Sequence, residues 1–295
     1  MPSRACSTEI HGERTSYITA CPLGCALPLI PTSIVLAEGA LRQCRECGQL
    51  VSQATPARYE ETMTAFDALD FNLPTGRELA RRRSVAERRL HKISALLGRP
   101  LRETRLVDVG CSRGQFVRAA LKLGADAEGV EPASRMAAAA RETGLRVHTG
   151  FLEDVRFPAE SFDAVTLFEV VEHLAEPLSL MRECRRILKP GGIACLSTGN
   201  ARSWTVSAMG ARWDYFNMEK DGGHVSFFNP ESIAVLARRT GFAVAEIDTA
   251  RVRFTEKDVT PSALHAIAKP LAELLSFPAR LAGRGHDMVA YLRAQ

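Results

Sequence analysis

The stretch Leu106-Val107-Asp108-Val109-Gly110-Cys111-Ser112-Arg113-Gly114 reads as a buried strand that breaks into a glycine turn, with an amphipathic helix, Gln115 to Leu123, directly behind it. A backbone that turns on glycine lets a ligand approach closely, and the helix behind it offers unpaired N–H groups to that ligand. A second strand, Ala125 to Val130, ends in Glu131, 21 residues after Gly110, where an acid can accept hydrogen bonds from both hydroxyls of a ribose. Strand, turn, helix, strand and acid in this order describe a nucleoside-binding crevice. A dinucleotide site would want Gly-x-Gly-x-x-Gly, but Ser112 occupies the second glycine position, which argues against a nicotinamide-dependent dehydrogenase.

The rhythm continues outward. Ser134 to Thr143 reads as a helix, Leu145 to His148 as a short strand and Phe162 to Phe168 as a buried strand. Leu178 to Leu188 is a helix with Pro177 in its first turn and Lys189-Pro-Gly-Gly192 closing it, and Ile193 to Ser197 is a strand. After a break of about 30 residues, a helix (Pro230 to Thr240) precedes a strand (Phe242 to Ile247); a helical insertion near 261–282 precedes a last strand, Asp287 to Leu292. Repeated βα units predict an α/β fold with a parallel sheet covered on both faces.

The 295 residues are 46% hydrophobic and 24% charged, a globular composition. Thirty-eight Lys and Arg against 34 Asp and Glu leave a net charge of +4, too mild to imply nucleic acid or an anionic membrane. No run of about 18 apolar residues is present to cross a bilayer. Met1 to Ala20 carries Arg4, Glu9, Glu13 and Arg14 where a signal peptide needs an apolar core. These features predict a cytoplasmic protein without membrane insertion and leave its oligomeric state open.

Residues 105–200 resemble the class I S-adenosylmethionine-dependent methyltransferases. Asp108-Val-Gly-Cys-Ser-Arg-Gly114 is similar to that family's first motif and Val130-Glu-Pro132 to its ribose-binding strand end. Glu160-Ser-Phe-Asp163 with the strand to Phe168 is similar to its fourth strand, and Ile187-Leu-Lys-Pro-Gly-Gly192 to the stretch before its fifth. The resemblance implies a Rossmann-like seven-stranded sheet over 105–295 with S-adenosylmethionine as cofactor. It passes Gly110 and Gly114 under the methionine portion, gives the ribose to Glu131, lines the adenine with Leu152 and Glu153, sets Glu169 near the methionine amino group, and counts Asp108, Cys111, Pro132 and Phe168 among the cofactor-binding residues. Many relatives carry Asp at the position of Phe151, so here the contact to the adenine amine falls to Glu153 or Asp154.

Methyl transfer is an in-line displacement, so the protein must align the acceptor and exclude water. A hydroxyl acceptor also has to lose its proton. Phe168-Glu-Val-Val-Glu-His173 puts Glu169, Glu172 and His173 at the crevice mouth as candidate base or ligands. The Glu-x-x-Glu-His pattern is similar to that of the ubiquinone-biosynthesis O-methyltransferases, which implies a divalent metal at Glu169, Glu172 and His173; local helix capping is the alternative. The segment 200–228 holds Trp204, Trp213, Tyr215, Phe216, Phe227, Phe228 and His224 and reads as a lid over the acceptor, with His224 a second candidate base.

Cys21-Pro-Leu-Gly-Cys25 and Cys44-Arg-Glu-Cys47-Gly48 form two knuckles. Four clustered thiols predict one tetrahedral, closed and therefore structural Zn2+ in a small ribbon over 21–55, which otherwise lacks a core. Residues 1–20 read as a flexible tail and 56–104 as a helical connector. Nine arginines between Arg77 and Arg105 with the ribbon resemble ribosomal RNA methyltransferases, but no aromatics for base stacking accompany them, which predicts a solvated helix face instead.

The sequence thus predicts an S-adenosylmethionine-dependent methyltransferase acting on a small-molecule acceptor, first of all a hydroxyl of a natural product or sugar, in line with its resemblance to bacterial natural-product and glycan enzymes. RNA methylation is the enzymatic alternative, and cofactor binding without turnover the non-enzymatic one.

Overall fold

The computed structural model describes residues 16–68, 76–255 and 262–295. Strands β1 (Leu29–Leu36), β2 (Gly39–Cys44) and β3 (Leu50–Val51) are followed by helices α1 (Pro56–Ala68) and α2 (Gly76–Leu97). The α/β region runs β4 (Arg105–Val109), α3 (Gln115–Lys122), β5 (Asp126–Glu131), α4 (Ser134–Glu142), β6 (Val147–Thr149), α5 (Leu152–Val155), β7 (Phe162–Phe168), α6 (Pro177–Ile187) and β8 (Leu188–Gly199). An insertion with α7 (Trp204–Met209), α8 (Met218–Asp221) and β9 (Ser226–Phe227) precedes α9 (Pro230–Arg239), β10 (Phe242–Ala250), α10 (Ser262–Leu281) and β11 (Asp287–Ala294). Among the described residues no helix is long and apolar enough to cross a membrane.

The large sheet has seven strands in the order β10-β11-β8-β7-β4-β5-β6. Six run in the same direction, and β11 alone is reversed, antiparallel to both β8 and β10. Strand β4 pairs with β5 on one side and β7 on the other, so the chain leaves it in opposite directions. That reversal opens a crevice at the C-terminal ends of the strands. Val107 and Val109 of β4 are buried, as central parallel strands must be. Lys189-Pro-Gly-Gly192 is not a helix stop followed by a loop: β8 already begins at Leu188, paired with Phe162, and the register shifts before Ile193 pairs with Ala164. Gly129 on β5 lies under the glycine turn, and a Cβ there would come within 2.4 Å of Cys111 Sγ.

The cysteine module does not end at residue 55. Its antiparallel sheet β1-β2-β3 takes a fourth strand, β9, from the insertion. Ile18, Leu23, Leu29, Val51 and Ala54 belong to the same apolar cluster as Val107, Val165 and Leu196 of the large sheet. Of the expected tail, residues 1–15 lie outside the described residues, whereas Ile18 is buried and Tyr17 stacks on Tyr59 with ring centroids 4.7 Å apart. Helix α2 buries Ala86, Leu90 and Ile93, and its Arg81, Arg82, Arg83 and Arg88 are exposed. The insertion is a packed wall as much as a cover, since Trp213, Phe216, Phe227 and Phe228 are all buried.

Candidate active site

The cofactor side is built from β4, β5 and the turn between them. Gly110 and Gly114 both have φ of +71°, and Ser112 between them takes +49°. The turn is held in this left-handed form by Glu131, whose two carboxylate oxygens accept from Ser112 N at 2.7 Å and Ala133 N at 2.8 Å. The acid read as a ribose ligand therefore also shapes the loop. Asp108 is buried and accepts the Thr166 hydroxyl at 2.6 Å; burial pushes its carboxyl up to about 7. A folded-state value above the unfolded one means the folded chain holds an extra proton between about pH 4 and 7, so this group's contribution to stability falls as pH rises through that window. Relative to wild type, Asp108→Asn is expected to be more stable at pH 8 than at pH 5 by about 3 kcal/mol, at about 1.4 kcal/mol per pH unit; urea unfolding at both pH values measures it.

One cavity of about 920 Å3 runs through the crevice. It is lined by Asp108, Gly110, Cys111, Glu131, Pro132, Leu152, Glu153, Phe168 and Glu169, whereas Gly114 lies behind it at the start of α3. Phe151 is exposed and also lines it. Of the two acids offered for the adenine, Glu153 faces the cavity, and Asp154 instead accepts the Phe151 amide at 3.3 Å. Arg89, counted with the connector arginines expected to face solvent, is instead half-buried, with its guanidinium 4.3 Å from the centroid of the Phe168 ring.

The same cavity reaches His173, His224, Tyr215, Asp214, Arg253 and His286. Glu169, at φ +56°, accepts from the Ser197 hydroxyl at 2.8 Å and from the Tyr215 hydroxyl at 2.7 Å. Tyr215 also hydrogen-bonds Glu172. One phenol carries a single hydrogen, so with both carboxyls as partners one of them has to supply its own. Glu172 is that one: burial, reinforced by the Glu169 charge, raises it well above the usual carboxylate range. The sequence flagged Tyr215 only as one aromatic of the insertion, and nothing local marks it as the bridge between two acids.

His224 Nδ1 lies 3.0 Å from the Tyr215 carbonyl oxygen. A carbonyl only accepts, so Nδ1 carries the hydrogen and the Nε2 lone pair is left 4.0 Å from Glu172 Oε1. The His173 and His224 rings meet edge-on at 4.6 Å, and burial pushes them down to about 3 and about 4, respectively. Both imidazoles are neutral at neutral pH, the form that ligates metals. Glu172, His173 and His224 each bring a ligand atom within 4.8 Å of the others, and Glu172 Oε2 is buried without a hydrogen-bond partner. With Glu172 ionised, these donors fit a divalent cation, but the set differs from the expected one. His224 completes it, while Glu169 is engaged by Ser197 and Tyr215.

The four thiols of Cys21, Cys25, Cys44 and Cys47 also lie within 4.8 Å of one another. Cys21 and Cys47 sulfurs are 3.7 Å apart. Zn–S bonds of about 2.3 Å in a tetrahedron space sulfurs about 3.8 Å apart, so the cage has the dimensions of a zinc site.

A family model described as a methyltransferase domain matches residues 79–247. The chain belongs to that methyltransferase family. It is 36% identical over 152 residues to a ubiquinone biosynthesis O-methyltransferase of Cereibacter sphaeroides, covering 48% of this chain and 61% of that protein. A second, from Thiobacillus denitrificans, is 30% identical over 175 residues, 54% of this chain and 75% of its own length. The chain thus spans under two thirds of the first of these curated relatives. A crystal structure of an S-adenosylmethionine-dependent methyltransferase from Archaeoglobus fulgidus shares the fold, with a TM-score of 0.50, 18% identity, and coverage of 72% of this chain and 94% of that one.

Proposed function

We propose that the chain transfers a methyl group from S-adenosylmethionine to a hydroxyl of a small-molecule acceptor. The observation that carries this reading is the continuity of one cavity from the glycine turn and Glu131 to His173 and His224, with Glu172 buried beside the two histidines. Gly110, Cys111 and Glu131 would hold the nucleoside and methionine with backbone and carboxylate contacts, and Leu152, Glu153 and Phe151 would flank the adenine. Displacement at a sulfonium methyl needs the acceptor oxygen in line with the S–CH3 bond and water kept out. The buried aromatics of the insertion, Trp213 and Phe216 behind Tyr215, supply that rigid wall.

Neutral His224, its Nδ1 hydrogen committed to Tyr215, would take the acceptor proton on Nε2. If a divalent ion occupies the site, Glu172, His173 and His224 would hold it, and its chemistry would be to acidify a bound hydroxyl. The names of the curated relatives, O-methyltransferases, support an oxygen acceptor.

The test is incubation of the purified protein with methyl-labelled cofactor and a fractionated metabolite extract, with and without ribonuclease. Label is expected in a hydroxylated small molecule and to survive the nuclease. Label confined to RNA would overturn the proposal.

A further inference from the structure

The cysteine module and the wall carrying His224 are joined through the backbone. Strand β3 begins three residues after Cys47 and pairs with β9, Leu50 opposite Phe227 and Val51 opposite Ser226. Ser52 N donates to Val225 O at 2.9 Å, and Val225 N donates to Glu172 O at 3.0 Å. Asn229 spans the same junction: its Nδ2 donates to Cys47 O at 3.2 Å, while its Oδ1 accepts Ser232 N at 2.9 Å and caps α9. On the other side, Tyr17 N donates to Ala54 O at 2.7 Å, the Tyr17 ring stacks on Tyr59, and the Tyr59 hydroxyl donates to His173 O at 2.9 Å. All three members of the Glu172, His173 and His224 cluster therefore sit on backbone tied to residues 16–59. The glycine turn is held differently, by Glu131 and by Gly110 N donating to Val130 O at 2.8 Å.

We propose that the four cysteines bind one zinc ion that fixes the Glu172–His173–His224 side of the cavity and leaves the glycine-turn side unaffected. Strand β3 has only two residues, and a two-residue ladder with β9 does not hold its register unaided. The segment 21–55 has no apolar core of its own and packs on that of the large sheet and the insertion, so a closed tetrathiolate site supplies the anchor within the segment itself. The metal sets the Cys44–Cys47 knuckle, the knuckle sets β3, and β3 sets β9 and Val225. Calling that side the acceptor side rests on the function proposed above; the coupling itself does not.

Protein purified without chelator is expected to contain about one zinc per chain, and cobalt substituted for it to give the visible spectrum of a tetrahedral tetrathiolate. Amide hydrogen exchange then compares metal-loaded with chelator-treated full-length chain. Exchange should rise about tenfold or more at Val225, Phe227 and His173 and stay near its loaded value at Val107, Val109 and Val130, with S-adenosylhomocysteine affinity within about twofold. Asn229→Asp is the companion variant. Aspartate caps α9 as well as asparagine does, but sets a carboxylate against the Cys47 carbonyl. This variant should keep its zinc and its S-adenosylhomocysteine affinity, show faster exchange at Val225 and Phe227, and lose about tenfold in turnover, the scale of one hydrogen bond. Substoichiometric zinc, exchange changes confined to residues 16–55, equal changes in β4 and β5, or wild-type exchange in Asn229→Asp would each overturn the proposal. Because exchange is read without turnover, absence of methyl transfer would count against the proposed function alone.

Discussion

Glu131→Ala is expected to bind S-adenosylhomocysteine at least about 100-fold more weakly than wild type. The carboxylate accepts Ser112 N and Ala133 N, and Glu131 lines the cavity where a ribose would lie. Alanine removes both backbone contacts and, with them, the proposed ribose contact. Hydrogen bonds to a charged group contribute about 1.5–3 kcal/mol each, so any two of these three contacts give about 3–6 kcal/mol and a loss of two orders of magnitude or more. Ser112 at φ +49° then also loses the partner that keeps its strained conformation. Glu131→Gln keeps one accepting oxygen and should lose about tenfold. Titration calorimetry on both variants checks the order; alanine binding within about threefold of wild type would remove Glu131 from the cofactor site.

His224→Ala should lower turnover about 10²- to 10³-fold while leaving S-adenosylhomocysteine affinity near the wild-type value, the range expected for loss of a positioned base. The ring packs on Tyr215 at 4.3 Å between centroids, and the glycine turn is held by Glu131 instead, so its loss should not reach that turn. Glu172→Gln separates the two roles open to this cluster. Glutamine copies a protonated carboxyl, so the contact to Tyr215 and the fold should survive. If the acid acts only as a neutral donor, Glu172→Gln keeps turnover within about threefold; if it must ionise to hold a cation, turnover falls with that of His224→Ala. Single-turnover rates with saturating cofactor distinguish these outcomes, and unchanged turnover in His224→Ala would eliminate His224 as base.

The cofactor half was legible because its signals are local. The glycines of 110–114, the helix behind them and Glu131 lie within one strand-turn-helix-strand unit, and turn chemistry and periodicity report on that scale. The acceptor half was legible only as a list of residue types. Glu172 and His173 were found from their motif and His224 from its aromatic segment, but the selection of His224 over Glu169 depends on where the Tyr215 hydroxyl falls. His286, whose Nδ1 accepts the Trp213 indole hydrogen at 3.3 Å, lies between Gly285 and the first residue of β11, where no spacing announces it. That Asp154 accepts the Phe151 amide, while Glu153 lines the cavity, depends on a backbone group with no signature in the sequence. The ribbon was visible from its knuckles, whereas its fourth strand was not, since two residues of Ser226–Phe227 carry no periodicity.

That fourth strand has a consequence for the order in which the molecule is made. Val51 finds its partner in Ser226, a full 175 positions later along the chain. At about 5–20 residues per second, ribosomal synthesis separates the two by roughly 10 to 35 s. Strands β4 to β7, which frame the glycine turn, have all emerged by Phe168 and can assemble within that interval. The nascent chain thus carries a nearly complete cofactor crevice while β3 still shows an open edge, the kind of edge that invites pairing with another chain.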